Sequence, residues 1–307
     1  MADVKCYACG KPAVIYRKYE GRGWCKEHFS LQLEKKVKMT IRKNRLIKPN
    51  DKICVAVSGG KDSSTLLYLM NKFFGKRPDI EICALAVDEG ISGYRSESIN
   101  EVKKLSKRLG VELVVVSFKK EFGMTLDQIV KKDYRPCTYC GVLRRYLLNK
   151  KSRELGATKL ATGHNMDDEI QSIFINNLKG DINRLLRLGA DPIIVNHPKF
   201  VHRIKPLRDV PEKEIALYAL LHGINAHFGR CPYVKGGLRF EVRNFLNHIE
   251  EKYPGTKYNI VRNFDMLLPA LRNYFKDGEK IRECSKCGEP TSREICKACE
   301  LLKNIKG

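Results

Sequence analysis

The sequence predicts an α/β protein: a parallel sheet covered by helices on both faces, with a small cysteine-rich module at each end. Three observations predict it. Short, continuous apolar runs such as "KICVAV" and "EICALAV" read as strands buried on both faces, since a strand with one face in water would alternate. Segments of helical periodicity separate these runs, which is the pattern of a parallel sheet. Finally, a four-ligand set of cysteine and histidine lies near each terminus.

Composition narrows the function. The chain has 307 residues, long enough to bury a sizeable core in one large domain or two. Apolar residues make up 43%, ordinary for a globular protein and against disorder. No uncharged apolar run reaches the length of a membrane span, and the N-terminus shows no leader-like apolar stretch behind a basic start. A cytoplasmic protein that does not enter the membrane is therefore expected. Lys and Arg number 58 against 35 Asp and Glu, a formal charge of +23. A merely lysine-rich surface would explain part of this. A polyanionic partner explains more of it, because basic groups release counterions from phosphates, and nucleic acid is the expected class. The 12 cysteines of an intracellular chain point to metal or catalysis over disulfides.

Taken from the N-terminus, Cys6-x2-Cys9 and Cys25-x2-His28 form one closed set of four ligands over residues 1–30. Paired thiolates separated by a short loop are the spacing of a tetrahedral zinc site, here of Cys3His type. Residues 31–50 read as a linker helix and 51–250 as the central catalytic domain. A helical basic extension follows over 251–280, and residues 281–307 hold the second finger. There "CSKCGEPTSREICKAC" supplies Cys284, Cys287, Cys296 and Cys299, a compact all-thiolate zinc set. Closed four-ligand sites leave no position for substrate, so both zinc ions are expected to be structural.

In the central domain a strand over Ile53 to Val57 runs into Ser58-Gly59-Gly60-Lys61-Asp62-Ser63, and an apolar-periodic helix begins there. Two glycines let the backbone turn and expose its N–H groups. The helix N-terminus and Lys61 then add positive charge, and together they make a phosphate cradle. The Walker A spacing is absent. A plain strand-to-helix turn would want a glycine but not this whole set. A second strand ends at Asp88-Glu89-Gly90. A helix over 96–110 closes on Gly110, a third strand covers 111–118, and "TKLATGHNMDDEIQSIFINNL" supplies a fourth strand, a loop and a helix. Ligands of such sheets sit at the carboxyl ends of the strands. Asp167 and Asp168 open the last helix, where ordinary acidic capping competes with a role toward Mg²⁺ or substrate; the residues do not say which carboxylate would act. His164 is as readily structural. Pro211, Glu212 and Glu214 read individually as a well-made helix start.

Five cysteines fall outside the fingers. Cys54 and Cys83 lie in apolar strands and read as inert packing. Cys137 and Cys140 precede a basic helix in "RPCTYCGVLRR", and Cys231 lies in a loop in "HFGRCPYVKGGLRF". Thiols near helix N-termini and arginines are set up to react or to bind metal. Three readings remain open from the residues: structural thiols, a disulfide and persulfide pair that carries sulfur, or an iron–sulfur cluster with three protein thiolates where four are usual.

The stretch "SGGKDS" resembles the signature of the PP-loop ATP pyrophosphatase family, whose catalytic domain is Rossmann-like (adenine nucleotide alpha hydrolase-like). "GHNMDDEIQ" and "RIKPLRDVPEKEI" resemble its tRNA-thiolating branch. With a finger at each end and the spare cysteine trio, the layout is similar to the TtuA group of tRNA 2-thiouridine synthetases over nearly the whole chain. The resemblance implies ATP bound at Ala56, Val57, Ser58, Gly59, Gly60, Lys61, Asp62, Ser63, Val87 and Gly163, with Mg²⁺ on its phosphates. It implies catalytic roles for Asp62, Asp168, Cys137, Cys140 and Cys231, and a 4Fe-4S cluster on those three cysteines. It further implies a tRNA substrate, a ubiquitin-like thiocarboxylate protein as sulfur carrier, and a homodimer. The reaction implied is adenylation of a uridine C2 carbonyl, at position 54 of the T-loop, followed by sulfur transfer to give 2-thiouridine. Position 34 and a persulfide route without a cluster are the alternatives within the enzyme class. A zinc-ribbon RNA-binding protein with an inactive nucleotide fold is the alternative outside it.

Overall fold

A computed structural model describes residues 4–192, 197–227, 229–234, 236–275 and 281–306. The N-terminal module is a hairpin of β1 (Ile15–Arg17) and β2 (Arg22–Trp24), followed by α1 (Lys26–Lys43). The central unit runs β3 (Lys52–Ala56), α2 (Lys61–Phe74), β4 (Glu81–Asp88), α3 (Arg95–Leu109) and β5 (Glu112–Ser117). It continues through α4 (Phe118–Phe122), α5 (Leu126–Lys132), α6 (Pro136–Glu154), β6 (Lys159–Thr162), α7 (Met166–Leu178), α8 (Ile182–Leu186), β7 (His202–Ile204) and α9 (Glu212–Leu221). Two long helices follow, α10 (Leu238–Lys252) and α11 (Thr256–Tyr274), and then a small hairpin of β8 (Arg282–Glu283) and β9 (Pro290–Thr291) that leads to α12 (Lys297–Lys306).

The central sheet is parallel throughout, in the order β5-β4-β3-β6-β7. The chain therefore starts in the middle, builds outward on one side, and returns to build on the other. That reversal leaves a crevice beyond the carboxyl ends of β3 and β6, where ligands of doubly wound sheets bind. Alternate residues of each strand face opposite cores. Val55 and Ala84 pack under α1, α2, α3 and α9, whereas Cys54, Leu85 and Leu160 pack under α4, α5, α6 and α12. Both faces are dry, which explains the unbroken apolar runs. Cys54 and Cys83 are cross-strand neighbours inside this core, and the contact with the Cys83 thiol, together with burial, holds Cys54 well above its ordinary pKa, in keeping with a packing role.

The strands expected from sequence appear within a residue or two of their expected bounds, and Gly110 closes α3 with φ +66°. Four features differ. The fifth strand, β7, was not anticipated: three residues with two basic side chains on a sheet edge carry little apolar signal. The first helix reaches back into the finger, because Cys25 is its N-cap and His28 lies in its first turn. Cys137 and Cys140 do not precede their helix. Pro136 occupies its first turn, where the fixed proline φ suits a helix start, and both cysteines are helical. The helical extension begins well before residue 251, with α10 and α11 packed on α7 through Val242, Leu246, Val261 and Met166; its residues 276–280 lie outside the described residues.

The N-terminal finger is joined to α9 by buried polar contacts. Arg17 Nη2 donates to Glu214 Oε2 at 2.7 Å with both side chains under 5% exposed, and Tyr19 Oη donates to Glu214 Oε1 at 2.7 Å. Glu214, which reads from sequence as part of a helix start, is thus the anchor of the N-terminal module. Glu214→Ala would leave the buried Arg17 guanidinium with only the more exposed Glu20 as partner, and a loss of stability of about 2–4 kcal/mol is expected by urea denaturation. An unchanged midpoint would refute the anchor.

Candidate active site: a phosphate loop facing a thiol trio

The loop after β3 is built for a phosphate. Gly59 sits at φ +86°, and a Cβ there would collide with the Ser98 carbonyl, so both conformation and space demand glycine. Gly60 caps α2 without any side-chain hydrogen bond, which leaves the first N–H groups of the helix for a ligand. Ser63 Oγ braces the turn by accepting from Ser58 N at 3.0 Å and donating to Gly60 O at 3.1 Å. Gly163, at the exit of β6, lies against the first turn of α2: a Cβ would stand 2.9 Å from Ser63 N. Ala56 closes β3, and Val87 lies in β4 with its side chain sealed in the core.

Sequence reasoning missed Arg95. Its guanidinium is buried, donates to the Ser58 carbonyl at 2.5 Å and the Val87 carbonyl at 2.8 Å, and pairs with Glu89 at 2.7 Å. One side chain thus fixes the phosphate loop to the end of β4. A lone arginine opening a helix gives no sequence signal for this.

Around Lys61 three carboxylates converge. Its Nζ lies 2.9 Å from Asp62 Oδ2 and 2.8 Å from Glu212 Oε1, so Glu212 does more than begin α9. Asn165 Nδ2 donates to Asp62 Oδ1 at 3.2 Å and forms a capping box with Asp168. Burial raises the Asp62 carboxyl, and Lys61 partly offsets it. Asp168 is pushed up to about 6, chiefly by burial, with Asp62 and Glu212 adding repulsion. The pair that the sequence could not separate has unlike environments. Asp167 is buried, pairs with Lys257, and accepts from Glu212 N at 2.7 Å. Asp168 faces Asp62. His164 lies at the surface and hydrogen-bonds Thr162 Oγ1 at 2.9 Å. Carboxylates crowded beside a phosphate loop fit a hard cation such as Mg²⁺, which takes few protein oxygens and shares phosphate oxygens.

Asp168 makes a testable contribution to stability. A carboxyl raised from about 3.9 when unfolded to about 6 when folded holds its proton more tightly in the native state. Stability must then fall as pH rises through that window. Asp168→Asn should remove this fall, so thermal melts of the two proteins should diverge between about pH 4 and 6 in favour of the variant. Parallel pH dependence would refute the assignment.

The thiol trio lies beside this loop. Cys137 and Cys140 are in the first turns of α6, whose N-terminus has neither a side-chain cap nor an acidic residue. Cys140 is pushed up to about 11, mainly by burial; Arg144 opposes this, and Glu89, Cys231 and Cys137 all reinforce it. Cys140 thus feels both other thiols. The loop bearing Cys231 is tied at two points: His227 N donates to Gly59 O at 2.9 Å, and Tyr233 Oη donates to Asp127 Oδ1 at 2.6 Å. Cys231 is in this way brought to the phosphate loop. The trio does not close on a single ion, unlike the fingers. Thiolates on separate irons of a cube must stand farther apart than ligands sharing one ion, so the trio's looser grouping fits a 4Fe-4S cluster with one iron left unligated by protein.

Both terminal sets do converge, with all four ligand atoms within 4.8 Å of one another. Cys9 and Cys25 Sγ lie 3.8 Å apart, Cys287 and Cys296 Sγ lie 3.6 Å apart, and Cys6 Sγ stands 3.5 Å from His28 Nδ1. Tetrahedral Zn–S bonds of about 2.3 Å imply about 3.8 Å between sulfurs. In each knuckle burial would raise the first thiol, but backbone donors outweigh it and leave Cys6 and Cys284 at about 6. Both sets therefore fit zinc.

Parallel sheet, glycine-rich loop without a Walker lysine spacing, and acidic helix start beyond β6 together define a PP-loop nucleotide enzyme. The family model described as PP-loop domain matches residues 29–228, and that of the N-terminal LIM domain of 2-thiouridine synthetase TtuA matches residues 5–30. The chain is 37% identical to the tRNA 2-thiolation protein NcsA of Haloferax volcanii, over 98% of this chain and 99% of that one. It is also 37% identical to the tRNA-5-methyluridine(54) 2-sulfurtransferase of Pyrococcus horikoshii, over 97% and 93%. Among solved structures it superposes on the U34-tRNA thiolase NcsA of Methanococcus maripaludis with its 4Fe-4S cluster at TM-score 0.85, 38% identity, covering 99% of this chain and 97% of that one. The chain belongs to the PP-loop family and, within it, to the TtuA-type 2-thiouridine synthetases.

Proposed function

We propose that this protein is an ATP-dependent tRNA 2-sulfurtransferase that converts a uridine to 2-thiouridine. The observation that carries the reading is the tie between His227 and Gly59, which joins the segment just ahead of Cys231 to the phosphate loop. Activation and sulfur delivery then share one crevice. ATP phosphates lie on the uncapped N-terminus of α2 and on Lys61. The target base leaves its stack, as base-modifying enzymes require, and presents its C2 carbonyl. The C2 oxygen attacks the α-phosphorus, pyrophosphate leaves, and a poor oxygen leaving group becomes AMP. Sulfide adds to C2 as AMP departs, with no net redox change. A 4Fe-4S cluster on Cys137, Cys140 and Cys231 would supply an iron free to hold that sulfide. Asp62 and Asp168 would hold Mg²⁺ and so neutralise the phosphates, and zinc would keep each finger folded.

The basic surface suits a tRNA, a ubiquitin-like thiocarboxylate protein supplies the sulfur, and the chain works as a homodimer in the cytoplasm. The name of the Pyrococcus relative supports uridine 54, and that of the Methanococcus structure favours a second reading, uridine 34. Mass spectrometry of tRNA from a deletion strain decides: loss of 2-thiolation at position 54 is expected, loss at 34 selects the second reading, and intact thiolation at both overturns the function. An RNA-binding module with an inactive loop would leave Lys61, Asp62 and Glu212 assembled for nothing. Pyrophosphate release from ATP in the presence of tRNA separates that reading.

A further inference from the structure

A cleft of about 510 Å³ separates the C-terminal finger from the catalytic domain. One wall is α6, another is β7 with its preceding segment, and the third is the finger itself, at Pro290, Thr291 and Ala298. Arg145 and Arg203 both line it. Among the described residues neither guanidinium has a carboxylate partner, and Arg203 Nε is buried with no hydrogen-bond acceptor. Desolvation first, and then neighbouring cations, push both below the ordinary arginine value: Arg144 and Arg184 act on Arg145, and Arg145 acts on Arg203. The acid on the wall, Glu289, is already taken by Arg153 and neutralised. A half-buried guanidinium with an unsatisfied Nε and an exposed one lining the same concave site offer an anion donors that the protein itself does not engage.

We infer that this cleft is a phosphodiester-binding subsite for the RNA substrate, with Arg145 and Arg203 as its phosphate ligands; the inference rests on the function proposed above. RNA is favoured over a free anion by Phe200, which lines the same cleft, is 41% exposed, and offers a face on which a base can stack. Position favours it too. Arg145 follows Cys140 by five residues on the same helix, a rise of about 7.5 Å. Arg145 stands about 140° around α6 from Cys140, so a strand whose phosphate is held there would follow the helix surface toward its thiol-bearing end, where a base flipped from it can enter the reaction crevice. The finger, by closing the third wall, would contribute shape to RNA binding without contacting the reacting atoms.

The test is anisotropy titration of labelled tRNA with the full zinc-loaded chain over a range of salt. Arg145→Gln and Arg203→Gln should each weaken binding and reduce the log–log salt slope by about 1, and the double variant by about 2. Phe200→Ala should weaken binding without changing the slope. Lys104→Gln, which removes a lysine paired with Glu101 on the opposite face of the sheet, should change neither. Arg203→Lys keeps the charge and should restore the slope, which covers the case in which the glutamine variant melts early. Wild-type affinity and slope in both arginine variants would overturn the subsite, as would weakened binding with an unchanged slope. Absence of tRNA binding by the wild-type chain would instead overturn the function on which the subsite rests.

Discussion

Cys231→Ala is expected to abolish tRNA 2-thiolation while leaving tRNA affinity within about twofold of wild type. The loop bearing Cys231 belongs to a different segment from Cys137 and Cys140, and His227 and Tyr233 hold it in place. Its thiol is therefore dispensable for folding of α6 but necessary for closing the trio. Anaerobically purified wild type should be brown and bind about four irons per chain, as a cluster of that type requires. The variant should be pale and iron-poor. Cys137→Ala and Cys140→Ala should fail to the same degree, because groups that act as one unit lose their function together. Pyrophosphate release should persist in all three, since none touches Lys61 or the α2 N-terminus. A colourless wild-type protein with full activity would refute the cluster and select the persulfide route. Retained thiolation in any one variant would remove that thiol from the mechanism.

Local chemistry is what the sequence made legible. Cys6, Cys9, Cys25 and His28 could be grouped because knuckle spacing is short, and Ser58 to Ser63 because a phosphate turn is contiguous. The grouping of Cys137 and Cys140 with Cys231 came by elimination, and the cluster came from family resemblance. What escaped was the set of contacts made by chain segments far apart. Arg95 reaches the carbonyls of Ser58 and Val87, and Glu212 meets Lys61 across 151 positions of sequence. Glu214 anchors a module 197 positions away. Glu212 and Glu214 are acids at a helix start, where local capping already explains them, and Arg95 is a single basic residue in a basic chain, so the pattern has no surplus to betray a second role. Asp167 and Asp168 show the same limit from the other side. They are adjacent and chemically identical, and only the packing of Lys257 against one of them gives the two different work. The edge strand β7 was lost for a related reason: a short strand with one neighbour needs little apolar surface.

Lys61→Ala should lower tRNA-dependent pyrophosphate release by about 10²–10³-fold, the range found when one preorganised charge is removed from a developing anion. Lys61 is held between Asp62 and Glu212, at 2.9 and 2.8 Å, and these partners keep it aimed across the mouth of the phosphate loop. Without it Asp62 loses its cation, and only the more exposed Arg243 and Arg239 remain beside Glu212 and Asp168. Asp168, already raised by burial and by those neighbours, would be raised further, and the loop would repel the phosphates it is shaped to hold. Asp62→Asn should also fail, for the complementary reason that a carboxylate suited to Mg²⁺ is gone while Lys61 remains. Glu212→Gln separates positioning from chemistry. Arg243 also pairs with Glu212, at 2.9 Å, so the amide loosens two cations at once without removing Lys61. ATP affinity should then hold within a few-fold, and pyrophosphate release should drop far less than in Lys61→Ala. Wild-type release from the lysine variant would show that the helix N-terminus alone carries the phosphates. Equal losses in Lys61→Ala and Glu212→Gln would show that the lysine matters for the architecture of the loop and not for the charge it brings to the nucleotide.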